Sequence, residues 1–206
     1  MKVEWKVNDK NIYLPKSSPV KLIIPDYNYL SISGQGDPNG EDFGLAVEAL
    51  YSISYSIKFL PKSGINPEGY YDYSVYPLEG DWDTREGETG FSADRKDKLI
   101  YTIMIRQPDF VTNDIVEAIK SKLIIKKKNL KINEVNLVNI KGGLCVQMMH
   151  TGSFDSEPLS FAVMNEFIKD NNLFRKTMSH REIYISDFNK TASDKLKTVL
   201  RYYCKG

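Results

Sequence analysis

Glu182 lies in the stretch Arg181-Glu182-Ile183-Tyr184-Ile185-Ser186, whose alternation marks a strand. Ile183 and Ile185 share one face, expected to pack against a helix, while Glu182, Tyr184 and Ser186 share the other. A carboxylate among phenol rings has two chemical uses. It can neutralise a cationic aromatic ligand, or, with its pKa raised by poor solvation, it can take a proton from water near neutral pH. The plainer alternative is a glutamate on a half-solvated sheet. A second aromatic run, Tyr70-Tyr71-Asp72-Tyr73-Ser74-Val75-Tyr76, reads as a strand with Tyr71 and Tyr73 on one face. Glu79 and Trp82 follow it, where a strand end delivers side chains to a cleft mouth. His150 and His180 are isolated, with no second ligand at metal spacing, and read as surface histidines. No metal or other cofactor is expected. Gly34-Gln35-Gly36 begins like a dinucleotide loop, but Asn39 stands where the third glycine belongs. No phosphate-binding loop or serine nucleophile elbow is present.

The elements that must position these residues follow from periodicity. Strands are predicted over 20–24, 27–33, 70–78, 99–106, 134–140, 144–150 and 181–186, with the shortest of these uncertain between strand and arm. Helices are predicted over 41–59, 113–128 and 156–171; Pro61 and Gly64 stop the first of them. Residues 1–19 read as an arm packed on the body. A polar loop runs through Asp94, and 188–206 reads as a short closing segment, helical from Ala192. Strands outnumber the helices that cover them, so the class is α+β, with one sheet face helix-packed and the other free to line a cleft.

Two stretches share a pattern. Tyr29-Leu30-Ser31-Ile32-Ser33, a Gly-rich turn and a helix with Ala46 and Tyr51 match Leu144-Cys145-Val146-Gln147-Met148, a turn and a helix with Ala162 and Phe167. Gly36 and Gly152, Ala46 and Ala162, and Tyr51 and Phe167 are each 116 positions apart, so the register holds from turn to helix. A repeated strand-turn-helix unit implies two similar lobes with a groove between them.

Composition excludes several partners. Lys and Arg total 28 against 27 Asp and Glu, and a net charge of +1 supplies no field to draw nucleic acid or anionic membrane. The basic run Lys126-Lys127-Lys128, with Lys120, Lys122 and Lys131, ends a helix and complements its dipole. Two cysteines without metal or redox spacing, and no apolar run of the ~18 residues that a membrane span needs, point to a cytoplasmic protein. A monomer or weak homodimer is expected. Thirteen tyrosines with nine phenylalanines and two tryptophans exceed what packing alone requires.

Four segments, in order and spanning nearly the whole chain, resemble the GyrI-like small-molecule-binding family. They are Tyr73-Ser74-Val75-Tyr76-Pro77-Leu78-Glu79-Gly80-Asp81-Trp82, the run from Tyr101 through Met104, Arg106 and Pro108 to Val111, Met149-His150-Thr151-Gly152-Ser153-Phe154, and His180 to Asp187. The match is to the stand-alone branch. The resemblance implies one domain over 1–206 with an internal repeat roughly over 20–110 and 130–190. It also implies a pseudo-twofold duplication of a strand-helix-strand-strand module, as in multidrug-regulator effector domains, around a central cleft for planar, hydrophobic, often cationic small molecules. Carried over residue by residue, Glu182 would meet the ligand with Tyr184 beside it. Some stand-alone members hydrolyse cyclopropanoid genotoxins as detoxifying enzymes. That chemistry would have Glu182 orient or deprotonate water while Tyr71 or Tyr73 donates to the oxygen gaining charge. Trp82 and Tyr101 would wall the ligand, with Glu79, Met104 and Met148 as further contacts. A non-catalytic sensor or sequestering protein is the alternative. Asp81 and Asp83, flanking Trp82, are expected to make the cleft mouth more polar than the family's apolar-aromatic turn.

Overall fold

The repeat separated by 116 positions is a repeat of elements. In a computed structural model, which describes residues 2–84, 99–127 and 131–206, β1 (Val20–Ile24) and β2 (Tyr27–Gln35) have counterparts in β5 (Asn136–Ile140) and β6 (Gly143–Thr151) at that separation. The first residues of α3 (Glu41–Lys58) and α5 (Glu157–Asp170) obey it too. β3 (Leu78–Thr84), β4 (Leu99–Gln107), β8 (His180–Tyr184) and β9 (Lys197–Lys205) complete an antiparallel sheet of order β1-β6-β9-β8-β3-β4-β2-β5. That order maps onto itself when reversed, with β3 and β8 meeting at the centre. There Gly80 pairs with Glu182. Each half borrows its outer strand from the other: β1 pairs with β6 and β5 with β2. The two-residue β7 (Phe174–Arg175) pairs with the end of β9.

Amphipathic spacing builds the helices. α3 buries Phe43, Ala46, Leu50, Ile53 and Ile57 along one stripe, with Glu41 and Asp42 in its first turn and Lys58 in its last, where each suits the dipole. A 3₁₀ turn then ends at Gly64, whose φ of 77° closes the segment. α4 (Asn113–Lys126) starts where Thr112 accepts the Ile115 N–H, and it packs along α3. α5 opens with Pro158 in its first turn and buries Met164 and Ile168 over β6 and β9.

The structure corrects several sequence expectations. Residues 70–77 are not a strand: a single bridge joins Tyr73 to Val3, and the ladder starts at Leu78. Pro77 lacks the N–H that a ladder needs, and Tyr70, Tyr71 and Tyr73 instead pack their rings on Phe110. The closing segment is not helical: β9 lies between β6 and β8 with residues 198–202 buried. A strand buried on both faces loses its period-two signature, and β9 can bury Arg201 because its Nε donates to Gln147 and Nη2 to the Ile12 carbonyl. The N-terminal arm packs on the body as expected: it holds two helical turns, α1 (Trp5–Asn8) and α2 (Lys10–Tyr13), and buries Trp5 and Tyr13.

A further correction concerns the faces. Ile183 was expected against a helix and Glu182 on an open face. α5 covers the Glu182 face, with Phe161 4.8 Å from His180, whereas Ile183 pairs with Glu79 on the face covered by α2. Alternation sorts residues into two sets without saying which set a helix covers. Another concerns Asp81, which turns away from the cleft and forms a bidentate pair with Arg181 (2.7 Å for each bond). The expected loop through Asp94 and the helix end at Lys128 lie outside the described residues.

Candidate functional site

The two repeated turns face each other across the junction of the halves. Pro38, Asn39 and Phe43 come from the turn before α3 and its first helical turn; Phe154 and Asp155, the counterparts of Pro38 and Asn39, and Glu157, the first residue of α5, come from the other half. Trp82, Glu182 and Tyr184 rise from β3 and β8 beneath them, and Leu99 and Phe188 close the sides. The cavity, open on one side to solvent, measures about 100 Å³. The cleft therefore lies on the helical face of the sheet, between the start of α3 and the start of α5, not on an open face.

Gly80 is needed beneath this floor. A Cβ there would lie 2.8 Å from Trp82 Nε1 and 3.2 Å from the Tyr184 hydroxyl, the two groups that hydrogen-bond each other at 2.7 Å. Gly80→Ala is expected to separate the indole from the phenol and cost about 1–3 kcal/mol by overpacking. Urea unfolding followed by tryptophan fluorescence measures both effects, and an unshifted midpoint would contradict the contact.

The polar chemistry is a connected set. The Trp82 indole N–H donates to the Tyr184 hydroxyl, which in turn interacts with Glu182. His180 Nε2 lies 2.9 Å from Glu182 Oε1. Glu157, the first residue of α5, is buried beside Glu182, and its Oε1 has no hydrogen-bond partner. Burial pushes the Glu157 carboxyl well above the usual carboxylate range, and the charge of Glu182 adds to the rise. Burial also raises the Tyr184 phenol, with Glu182 contributing, so it remains a hydrogen donor. The floor thus holds one carboxyl group that burial pushes toward its protonated form, Glu157, beside a second, Glu182, that receives hydrogen bonds.

This arrangement makes stability depend on pH. Folded Glu157 keeps a proton that the unfolded chain releases near pH 4.5, so its stabilisation is complete below that pH and is lost as pH rises toward the raised folded value. The slope approaches about 1.4 kcal/mol per pH unit. Glu157→Gln is expected to remove that slope and leave the protein more stable than wild type at neutral pH. Parallel urea titrations from pH 5 to pH 8 check this, and equal slopes in the two proteins would sink it.

Sequence-predicted residues divide sharply. Glu182, Trp82 and Tyr184 line the cavity. Tyr101 stands one layer behind, edge-on to Phe43 at 5.0 Å and 5.6 Å from Trp82. Met148 lies under α5 in that helix's own core. Tyr71 and Tyr73 are remote, in the cluster around Phe110. Glu79 and its ladder neighbour Met104 sit on the opposite face, where Tyr13 donates to Glu79 at 3.1 Å. His180 is not an isolated surface residue, since it contacts Glu182 and Phe161. Nor is His150, which is buried and bonded to Ser160 and the Ser153 carbonyl. Sequence reasoning missed Glu157. Its one signal was the repeat, which makes it the counterpart of Glu41 at the start of the other helix.

One donor atom each from Glu157, His180 and Glu182 lies within 4.8 Å of the others, a set of types that divalent cations also accept. Sequence spacing hid this grouping because α5 and β8 bring its members together.

A paired-lobe α+β fold with an aromatic, acidic cleft at its dyad defines a class of small-molecule-binding domain. The GyrI-like small molecule binding domain model matches residues 19–203, and the chain belongs to that family. It is similar to a hydrolase from Listeria innocua over the full length of both chains (37% identity, TM-score 0.93). A second Listeria innocua hydrolase is 35% identical over 98% of this chain and 100% of its own, with a TM-score of 0.90. The C-terminal domain of EcmrR shares the fold at 15% identity and a TM-score of 0.54, over 91% of this chain and 97% of its own. The search of curated proteins gave no match. No helix among the described residues is long and apolar enough to cross a membrane.

Proposed function

We propose that the cleft binds planar, hydrophobic, electrophilic or cationic small molecules and adds water to them, with Glu182 as base and Glu157 as acid. The observation that carries this reading is a buried Glu157 carboxyl, without a hydrogen-bond partner at Oε1, beside Glu182 on a floor walled by Trp82, Phe43 and Tyr184. The proposed substrate class is a cyclopropane conjugated to a dienone, and the role is detoxification. Glu182 takes a proton from water as its oxygen bonds to the ring methylene. The strained C–C bond breaks, its electron pair moves through the dienone to the carbonyl oxygen, and Glu157 protonates the phenolate that results. The net change is addition of one water, and proton exchange within the pair restores both groups. The acid role expected of Tyr71 or Tyr73 passes to Glu157, because those phenols lie outside the cavity lining. The names of the Listeria hydrolases support hydrolysis as the reaction type.

The test is incubation of the protein with a cyclopropanoid dienone while the water adduct is followed by mass spectrometry. Saturable adduct formation above the buffer rate supports the reading. Tight binding with no adduct would instead make the protein a sequestering module.

A further inference from the structure

Glu157, His180 and Glu182 meet where α5 starts over β8. His180 and Glu182 are two apart on the strand, so both stand on the face that α5 covers, and the first residue of α5 closes the third side. Both carboxyl groups are buried, Glu157 at 3% exposure and Glu182 at 5%, and Asp155 adds a further negative charge nearby. The plainer reading is a proton shared between Glu157 and Glu182. That proton accounts for one oxygen of Glu157 and leaves its buried Oε1 without a partner. An unmet buried acceptor is costly, and this one borders the cavity.

A dication answers the same charges more completely. Two carboxylates neutralise it and a neutral imidazole adds a third ligand, so no uncompensated charge stays buried. His180 Nε2 lies 2.9 Å from Glu182 Oε1, and one donor atom from each of the three residues lies within 4.8 Å of the others. Ligands of a tetrahedral zinc at ~2.1 Å stand about 3.4 Å apart, so the widest pair must close by no more than about 1.4 Å. A glutamate side-chain torsion supplies that shift. The surrounding contacts hold the ligands in place, as those around metal sites do. Tyr184 interacts with Glu182 and is held in turn by the Trp82 indole, while the Phe161 ring meets His180 edge-on at 4.8 Å.

We infer that Glu157, His180 and Glu182 form a zinc site, each supplying one ligand atom, with the fourth position open to the cleft. The nitrogen ligand favours zinc over magnesium or calcium, which prefer all-oxygen sets. Bound zinc occupies both carboxyl groups, so neither can act on water or on a dienone oxygen, and the metal inhibits the hydrolysis. The inhibition rests on the function proposed above; the zinc site does not.

The test strips the full chain with EDTA and titrates it with zinc chloride by calorimetry, and with cobalt chloride by visible absorption. One zinc per chain with micromolar or tighter affinity is expected, together with the strong d–d bands of cobalt at a low coordination number. Glu157→Gln and His180→Asn are each expected to weaken zinc at least tenfold, whereas Glu166→Gln, at an exposed position of α5, leaves it unchanged. Urea midpoints certify that the variants fold. Absence of zinc binding, or equal binding by wild type, Glu157→Gln and His180→Asn, means an adventitious ion only and overturns the site. Adduct formation from a cyclopropanoid dienone, followed in EDTA and in zinc, separates the two proposals. Turnover in EDTA that zinc stops over its binding range supports both. Zinc binding at this site with no turnover in either condition keeps the site and removes the hydrolysis. Turnover in EDTA without zinc binding does the reverse. A rate that zinc raises overturns the inhibition and leaves the site standing.

Discussion

Glu182→Gln is expected to lower the rate of water addition about 10²–10⁴-fold, because removing a positioned base costs that much. The substitution keeps shape and hydrogen-bonding capacity while removing the lone-pair basicity that water activation needs. His180 and Tyr184, which meet the carboxylate, can both reorganise around an amide. Thermal stability should therefore stay close to wild type. The expected signature is a fall in kcat with ligand still captured, read by following adduct formation at saturating substrate. Glu157→Gln should also slow the reaction, since an amide cannot supply the proton that the carbonyl oxygen requires as it becomes a phenolate. In wild type the rate should decline as pH rises through the raised Glu157 value, where the acid is lost. A Glu182→Gln protein that turns over at the wild-type rate would exclude the carboxylate as base.

Arg181→Met is expected to destabilise the protein by about 3–5 kcal/mol, the cost of leaving a buried charge without its partner. Arg181 is 1% exposed and Glu79 fully buried, and their Nη1 and Oε2 atoms are 3.3 Å apart. Tyr13 and Tyr29 also reach Glu79, so three elements converge on that carboxylate. With Arg181 gone, Asp81 turns to solvent, since its side chain is already 38% exposed, but Glu79 cannot. Replacing both members, as in Arg181→Met with Glu79→Leu, should recover much of the loss, because an apolar pair carries no desolvation penalty. Urea denaturation of the single and double variants measures this. A single variant as stable as wild type would mean that Glu79 finds another way to be neutralised. The network also bears on function, because it ties β8 to β3 at Arg181, the residue next to Glu182.

Several features were legible in the chain. The repeat was readable because each half spends the same side chains on the same strand, turn and helix, so Ala46 and Ala162 keep one offset. The helices were readable because one-sided burial leaves a stripe, and the Glu-Ile-Tyr strand because it alternates. Glu182, Trp82 and Tyr184 were reached on those grounds together with the family resemblance. β9 was not, since burial on both faces erases alternation. The tyrosine run at 70–76 imitated a strand, because extended backbone held by Pro77 and ring packing has the same local pattern as a ladder.

What the sequence by itself determined is local: which residues alternate, which form a stripe, where turns interrupt them, and that the pattern occurs twice. Only the tertiary structure decided which sheet face the helices cover, and hence that Glu182 shares a cavity with Glu157 while Glu79 is sealed behind it with Arg181. The physical reason is that period-two alternation is symmetric between faces. The choice between them rests on long-range burial: where α5 lies, where the N-terminal turns dock, and which charges can find a partner out of water.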